Sequence, residues 1–126
     1  MRTVLIVDAA NVMGSRPDGW WRDRLGAARR LRDSLTGLGP VSVGAGEPVE
    51  AEVVLVVEGA AKSLPGVEGV TVVSAPGSGD DAIVAEVRGD DAVRYVVVTA
   101  DRELRARVQA RGAEVVGPRT LLDQLD

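Results

Sequence analysis

Five short runs rich in β-branched residues, separated by segments of helical periodicity, restrict the fold of this chain more than any other feature of its sequence. Val4–Val7, Val53–Val57, Val70–Val73 and Tyr95–Val98 are near-continuous apolar runs, and Glu114–Val116 is a shorter fifth. Runs that do not alternate with polar residues belong to strands buried on both faces, the condition met in parallel sheets covered by helices. Between the first two runs, Trp21, Leu25, Ala28, Leu31, Leu35 and Leu38 recur at spacings of three and four. Arg residues fill the opposite face, and Gly37 and Gly39 mark the stop, so the segment from Asp18 reads as an amphipathic helix. Ser78 and Asp81 are spaced like a capping box ahead of the stripe Ile83, Val84 and Val87, which stops at Gly89. Thr99 or Asp101 can cap a helix carrying Leu104 and Val108 that ends at Gly112, and Pro118 opens a last helix with Leu121, Leu122 and Leu125. Val41–Val43 fits either an edge strand or a loop. The expectation is one α/β domain over residues 1–126. It has a central, mostly parallel sheet of about five strands, helices on both faces and right-handed crossovers.

Composition narrows the chemistry. Apolar residues make up 45% of the 126 positions without a single Phe, so the core is built from Val, Leu, Ile and Ala. Cys and His are both absent, which removes thiol nucleophiles, disulfides, Cys/His zinc sites and imidazole proton shuttles. Hydrolytic chemistry then falls to carboxylates. The chain runs straight into its first strand without a signal-like apolar region, and no apolar stretch approaches the roughly 20 residues of a spanning helix, so a cytoplasmic setting away from membranes is expected. Net charge is −4, yet Arg16, Arg22, Arg24, Arg29, Arg30 and Arg32 are clustered. That cluster reads either as a phosphate-tracking surface or as a solvated face salted with Asp23 and Asp33, and a GC-rich genome accounts for the preference for Arg over Lys.

In sheets of this kind ligands gather outside the carboxyl ends of the strands. The residues that follow the apolar runs there are Asp8, Glu58, Asp80 with Asp81, and Asp101. Asp80, Asp81 and Asp101 each have a structural explanation, since Asp at a helix start is favoured by about 0.3–1 kcal/mol. Asp8 ends a buried strand and needs a partner of its own. Taken together, carboxylates brought to one rim from separate strands repel one another unless a cation neutralises them, and an all-oxygen donor set suits Mg²⁺ or Mn²⁺.

A family resemblance rests on four segments in order. Val7-Asp8-Ala9-Ala10-Asn11-Val12 resembles the Asp-x-x-Asn-Val opening of NYN domains, the PIN-like ribonucleases that include the YacP group. Ser78-Gly79-Asp80-Asp81-Ala82-Ile83 resembles their central acidic helix start, Val98-Thr99-Ala100-Asp101 their Thr/Ser-x-Asp strand end, and Gly112-Ala113-Glu114-Val115-Val116 their short final strand. Ala9 and Ala10 stand where YacP-like chains usually have Gly and an aromatic residue, and Glu58 stands where a strand-end Asp is common. The resemblance implies metal-dependent RNA cleavage, with Asp8, Asp81 and Asp101 as metal-site carboxylates, Asp80 assisting and Glu58 a further metal candidate. It also implies that Asn11 orients Asp8 or the scissile phosphate, and that Thr99 contacts the phosphate or the attacking water. Arg22, Arg29, Arg30 and Arg102 are the candidate RNA contacts.

The function expected is therefore a divalent-metal-dependent endoribonuclease that hydrolyses RNA phosphodiester bonds at a Mg²⁺ or Mn²⁺ site. The alternatives are a catalytically weak PIN-like module that binds RNA or a protein, and hydrolysis of a small nucleotide or other phosphate ester. Pairing with a second copy or another protein stays open. Trp21 fits the helical core stripe and Trp20 its rim, against the competing reading of either ring as a base-stacking platform. Gly77-Ser78-Gly79 lacks the Gly-Lys-Ser/Thr of a P-loop and Gly44-Ala45-Gly46 lacks a dinucleotide fingerprint, so both read as turns.

Overall fold

All five apolar runs become strands of one sheet in the computed structural model, which describes residues 1–44 and 46–125. The strands are β1 (Arg2–Asp8), β2 (Glu52–Val57), β3 (Val70–Ser74), β4 (Val93–Val98) and β5 (Glu114–Val116). They lie in the order β3-β2-β1-β4-β5, and every neighbouring pair is parallel. The chain thus builds outward from β1 to β3, then crosses back to place β4 on the other side of β1. Such a reversal leaves a crevice over the carboxyl ends of the two central strands, here β1 and β4.

Helices α1 (Ala9–Gly14), α2 (Arg24–Thr36) and α5 (Pro118–Leu122) cover one face, while α3 (Gly79–Glu86) and α4 (Arg102–Gln109) cover the other. Single 3-10 turns lie at Trp20–Arg22 and Gly59–Ala61. Successive side chains of a strand point to opposite faces. Leu5 and Val7 of β1 therefore join Leu55, Val57, Val96, Val98, Leu31 and Leu35 in one apolar layer. Val4 and Ile6 join Val56, Val97, Ile83, Leu104 and Val108 in the other. Both layers are full, which explains why the runs show no alternation in sequence. Ion pairs Arg2–Glu52 and Arg94–Glu114 tie neighbouring strands at the amino-terminal edge, the end of the sheet away from the crevice.

At the end of β1 the chain turns at once into α1, a six-residue helix whose amino cap is Asp8. Four local expectations are corrected. The amphipathic helix begins at Arg24 rather than Asp18, because Asp23 caps it by accepting the Gly26 amide at 2.9 Å and the preceding residues form a 3-10 turn. That turn breaks the helical register and reverses the two indoles: Trp21 is 54% exposed, while Trp20 is half-buried against the core. Arg32 does not join the solvated Arg face; it is buried, its guanidinium bonding the Pro65 carbonyl at 2.9 Å and pairing with Asp33. Lastly, Ser78 caps α3 in position but makes no side-chain capping bond.

The open segment at Val41–Val43 resolves into a single antiparallel bridge, Val41 to Val49, with Val41 and Val43 buried. Of the turn at 44–46, Ala45 lies outside the described residues, and Gly44 and Gly46 both have positive φ. Among the described residues no helix is long and apolar enough to cross a membrane.

Candidate active site

Asp8 is the fixed point of the crevice. It ends β1, is only 6% exposed, and both of its oxygens are held by hydrogen bonds. The Thr99 hydroxyl donates to Oδ2 at 2.9 Å, and the Asn11 amide donates to Oδ1 at 3.3 Å. Thr99 is fully buried at the end of β4, and its Oγ1 also accepts the Asp101 amide at 3.2 Å. The Asn11 side chain reaches across the same gap, its Oδ1 accepting the Ala100 amide at 2.8 Å. These bonds form a clasp that joins the ends of β1 and β4, so Asp8, Asn11, Thr99 and Asp101 keep one arrangement.

The remaining strand-end residues divide into those that face this clasp and one that does not. Glu58 follows β2 and accepts the Gly79 amide at 2.9 Å, supplying the acceptor for the first amide of α3 that Ser78 does not. A Cβ at Gly79 would stand 3.2 Å from Glu58 Oε1, so glycine there permits the close approach. Asp101 caps α4 through Oδ1, which accepts the Leu104 amide at 3.0 Å. Asp80 is half-buried and feels the like charges of Asp101, Glu58 and Glu103 and the opposite charge of Arg107. Asp81 is turned outward: its side chain is 79% exposed and pairs with Arg107 at 2.9 Å. The structure therefore brings Asp8, Glu58, Asp80 and Asp101 to one rim and leaves Asp81 on its outer side.

Electrostatics reports the same grouping. Burial pushes the Asp8 carboxyl up to about 6; the Thr99 and Asn11 bonds oppose the shift, and the charges of Asp80 and Glu58 add to it. Burial likewise raises Asp80, followed by repulsion from Asp101 and Glu58, with Arg107 opposing. Like charges that raise one another in a cleft mark a place where positive charge is favoured.

The donor set is entirely oxygen and anionic, which fits a hard divalent cation. Among the described residues no three acidic side chains stand at the spacing needed to ligate one ion together. Mg²⁺ commonly takes one or two carboxylates directly and keeps most of its water, so no more than two of these side chains would ligate it. Asp8 and Asp80 are the two oxygen donors that the rim leaves most in need of a counter-ion.

Of the candidate RNA contacts, Arg102 follows Asp101 directly and is exposed at the start of α4. Arg29 and Arg30 are exposed on α2, and Arg22 lies 5.8 Å from the Trp21 ring. None of these makes an ion pair with a carboxylate among the described residues. Two further cations were not singled out from the sequence. Arg107 stands beside Asp80 and Asp81, one turn along α4 from Glu103, and Arg119 lines an open cavity of about 480 Å³ with Asn11, Ser15 and Ala100. Only the i, i+4 spacing of Glu103 and Arg107 gave a signal in the sequence; Arg119 had none.

Fold and rim together define a class: a five-stranded, all-parallel Rossmann-like α/β fold with acidic residues gathered at its switch point. Among solved structures, Rae1 (YacP) from Bacillus subtilis has this fold. Its W164L mutant superposes with a TM-score of 0.70 at 20% identity, covering 98% of this chain and 74% of that one. A second Rae1 (YacP) structure gives a TM-score of 0.70 at 20% identity, covering 96% and 72%. No family model matches the chain, and no curated protein matches its sequence. The resemblance to the YacP group is thus met in the fold.

Proposed function

We propose that this chain is a divalent-metal-dependent ribonuclease that hydrolyses RNA phosphodiester bonds at the rim formed by Asp8, Glu58, Asp80 and Asp101. The observation that carries the proposal is the clasp: a buried carboxylate held by Thr99 and Asn11 at the switch point, with further carboxylates turned toward it. Among the described residues Asp8 makes no ion pair with an Arg or Lys, so its burial is compensated by hydrogen bonds alone.

A Mg²⁺ or Mn²⁺ ion bound at the rim would supply positive charge beside the phosphate and a more acidic water. The residues of the chain do the rest. Asp8 and Asp80 would hold the ion, and Asp101 and Glu58 keep the rim anionic while fixing the starts of α4 and α3. Thr99 and Asn11 lock the Asp8 carboxylate in one rotamer, as positioned groups around a metal ligand do. Arg119 and Arg102, on either side of the clasp, meet the RNA phosphates flanking the scissile bond. Asp81 serves to orient Arg107.

Incubating the protein with single-stranded RNA and Mn²⁺ tests the reading. Cleavage by the wild type and its loss in Asp8→Asn and Asp101→Asn, both still folded, is the expected result. Activity surviving both changes would remove the rim from the mechanism.

A second reading draws on the spacing of the acidic side chains, no three of which among the described residues can hold one ion together. It is a PIN-like module without useful catalysis that engages RNA or a protein partner through the exposed arginines of α2. RNA affinity that ignores divalent ions but collapses in the Arg29→Glu, Arg30→Glu double variant would favour it.

A further inference from the structure

Beside the rim, on the side of α1 away from Arg119, is a second cavity of about 210 Å³. Its walls include Ala10, Met13, Trp20, Arg24, Gly59 and the rim carboxylate Glu58. We propose that this cavity is a nucleobase subsite, in which one base of a single-stranded RNA stacks against Trp20 while its backbone crosses the rim. The proposal rests on the ribonuclease reading for the identity of the ligand and adds where that ligand is gripped.

Three observations support it. Trp20 is half-buried: one part of the indole packs on the core, and the rest faces the cavity. Its orientation is set on both sides, edge to face with Trp21 at 6.1 Å and with the Arg24 guanidinium 5.5 Å from the ring centroid. The guanidinium lies over the indole face, so a base stacks on Trp20 by taking the place of Arg24, and the displaced cation stays close enough to meet a phosphate. Arg24 makes no ion pair with a carboxylate among the described residues, although Glu58 lines the same cavity. The volume falls below the roughly 300–1,000 Å³ typical of pockets for drug-sized ligands, so a single flat ring fits the space better than a complete nucleotide. Stacking does not discriminate between bases, and the subsite is accordingly a grip rather than a sequence reader.

The 3-10 turn is what makes this arrangement. Had α2 continued back through Trp21, that ring would have joined the core stripe and Trp20 would have pointed away from Glu58. The turn instead delivers Trp20 to the cavity beside Glu58, while Trp21 of the same turn does not line it.

Fluorescence of a Trp21→Phe, Asp8→Asn protein tests the proposal, because Trp20 is then the sole indole and nothing is cleaved. The probes are a short single-stranded oligoribonucleotide and the same oligomer with abasic residues, each titrated in Mg²⁺. The intact oligomer is expected to quench Trp20 and to bind about 5- to 150-fold more tightly than the abasic one, the range that base–aromatic stacking gives. Trp20→Leu, with binding followed through a labelled oligomer, removes that difference, and Trp20→Phe restores much of it. Equal affinity for the two oligomers, unchanged Trp20 emission, or no binding of either overturns the subsite. Because binding is read without catalysis, a failure here is distinct from a failure of Mn²⁺-dependent cleavage by the wild type.

Discussion

Asp8 concentrates the energetics of the site in one carboxyl. Its pKa is raised from 3.8 to about 6, so the folded chain keeps a proton that the unfolded chain gives up. Stability from this group is therefore complete below the unfolded value and is lost as pH rises through about 6. At about 1.4 kcal/mol per unit the loss is on the order of 3 kcal/mol. In metal-free buffer the Asp8→Asn variant is expected to be more resistant to urea than the wild type at pH 7.5, with the gap closing near pH 4.5. Parallel pH curves for the two proteins would show that the Asp8 charge costs the fold nothing. Thr99→Val removes the hydroxyl that stabilises the charged form, and it is expected to lower stability at pH 7.5 by about 1–3 kcal/mol, read from the same titration. Asp8, Asn11 and Thr99 were legible in the sequence as candidates, through the Asp-x-x-Asn opening and the Thr-x-Asp strand end. Their mutual hydrogen bonds were not, because Thr99 lies 91 positions from Asp8 and only the pairing of β1 with β4 brings them together.

At the scale of elements, the rotation of α3 decides which of two adjacent carboxylates serves the rim. Gly79 and Ile83 are buried, one turn apart, and fix the inward face. At roughly 100° per residue, Asp80 then lies at the edge of that face and Asp81 on its far side. The family resemblance implied Asp81, and so short a helix gives too few turns for its apolar stripe to define the rotation from sequence. Asp80→Asn is expected to lower cleavage about 100-fold or more, the scale on which a positioned group acts, while Asp81→Asn stays within a few-fold of wild type. Equal losses would mean that α3 presents both side chains to the substrate. The start of the same helix depends on Glu58. Glu58→Ala strips the acceptor from the Gly79 amide and should cost about 0.5–2 kcal/mol in urea unfolding, whereas Glu58→Gln keeps an acceptor and most of the stability. The strands were legible because runs of Val and Ile leave little choice of structure. Helix α1 was not, for Ala9–Gly14 carries no helical period that six residues can reveal.

For the whole molecule, function follows from topology: β1 and β4 are neighbours only because the chain reverses direction after β3, and that reversal creates the crevice. The alternation of runs and periodic segments announced this α/β order. The placement of cations around the crevice was hidden, because Arg24, Arg107 and Arg119 reach it from three separate helices. A rim of repelling carboxylates should be stabilised by the ion it binds. Mn²⁺ at about 100 times its dissociation constant is expected to add about 2.7 kcal/mol to the wild type, seen as a rise in melting temperature, and much less to the Asp8→Asn, Asp80→Asn double variant. Equal shifts would place the binding elsewhere. The central claim, that the rim binds one cation held by Asp8 and Asp80, is tested most directly by anomalous scattering from crystals soaked in Mn²⁺. The account predicts a single strong peak in the crevice, within ligand distance of Asp8 or Asp80. A peak beside Asp81 on the outer face, or none in a crystal whose crevice is open to solvent, would contradict it.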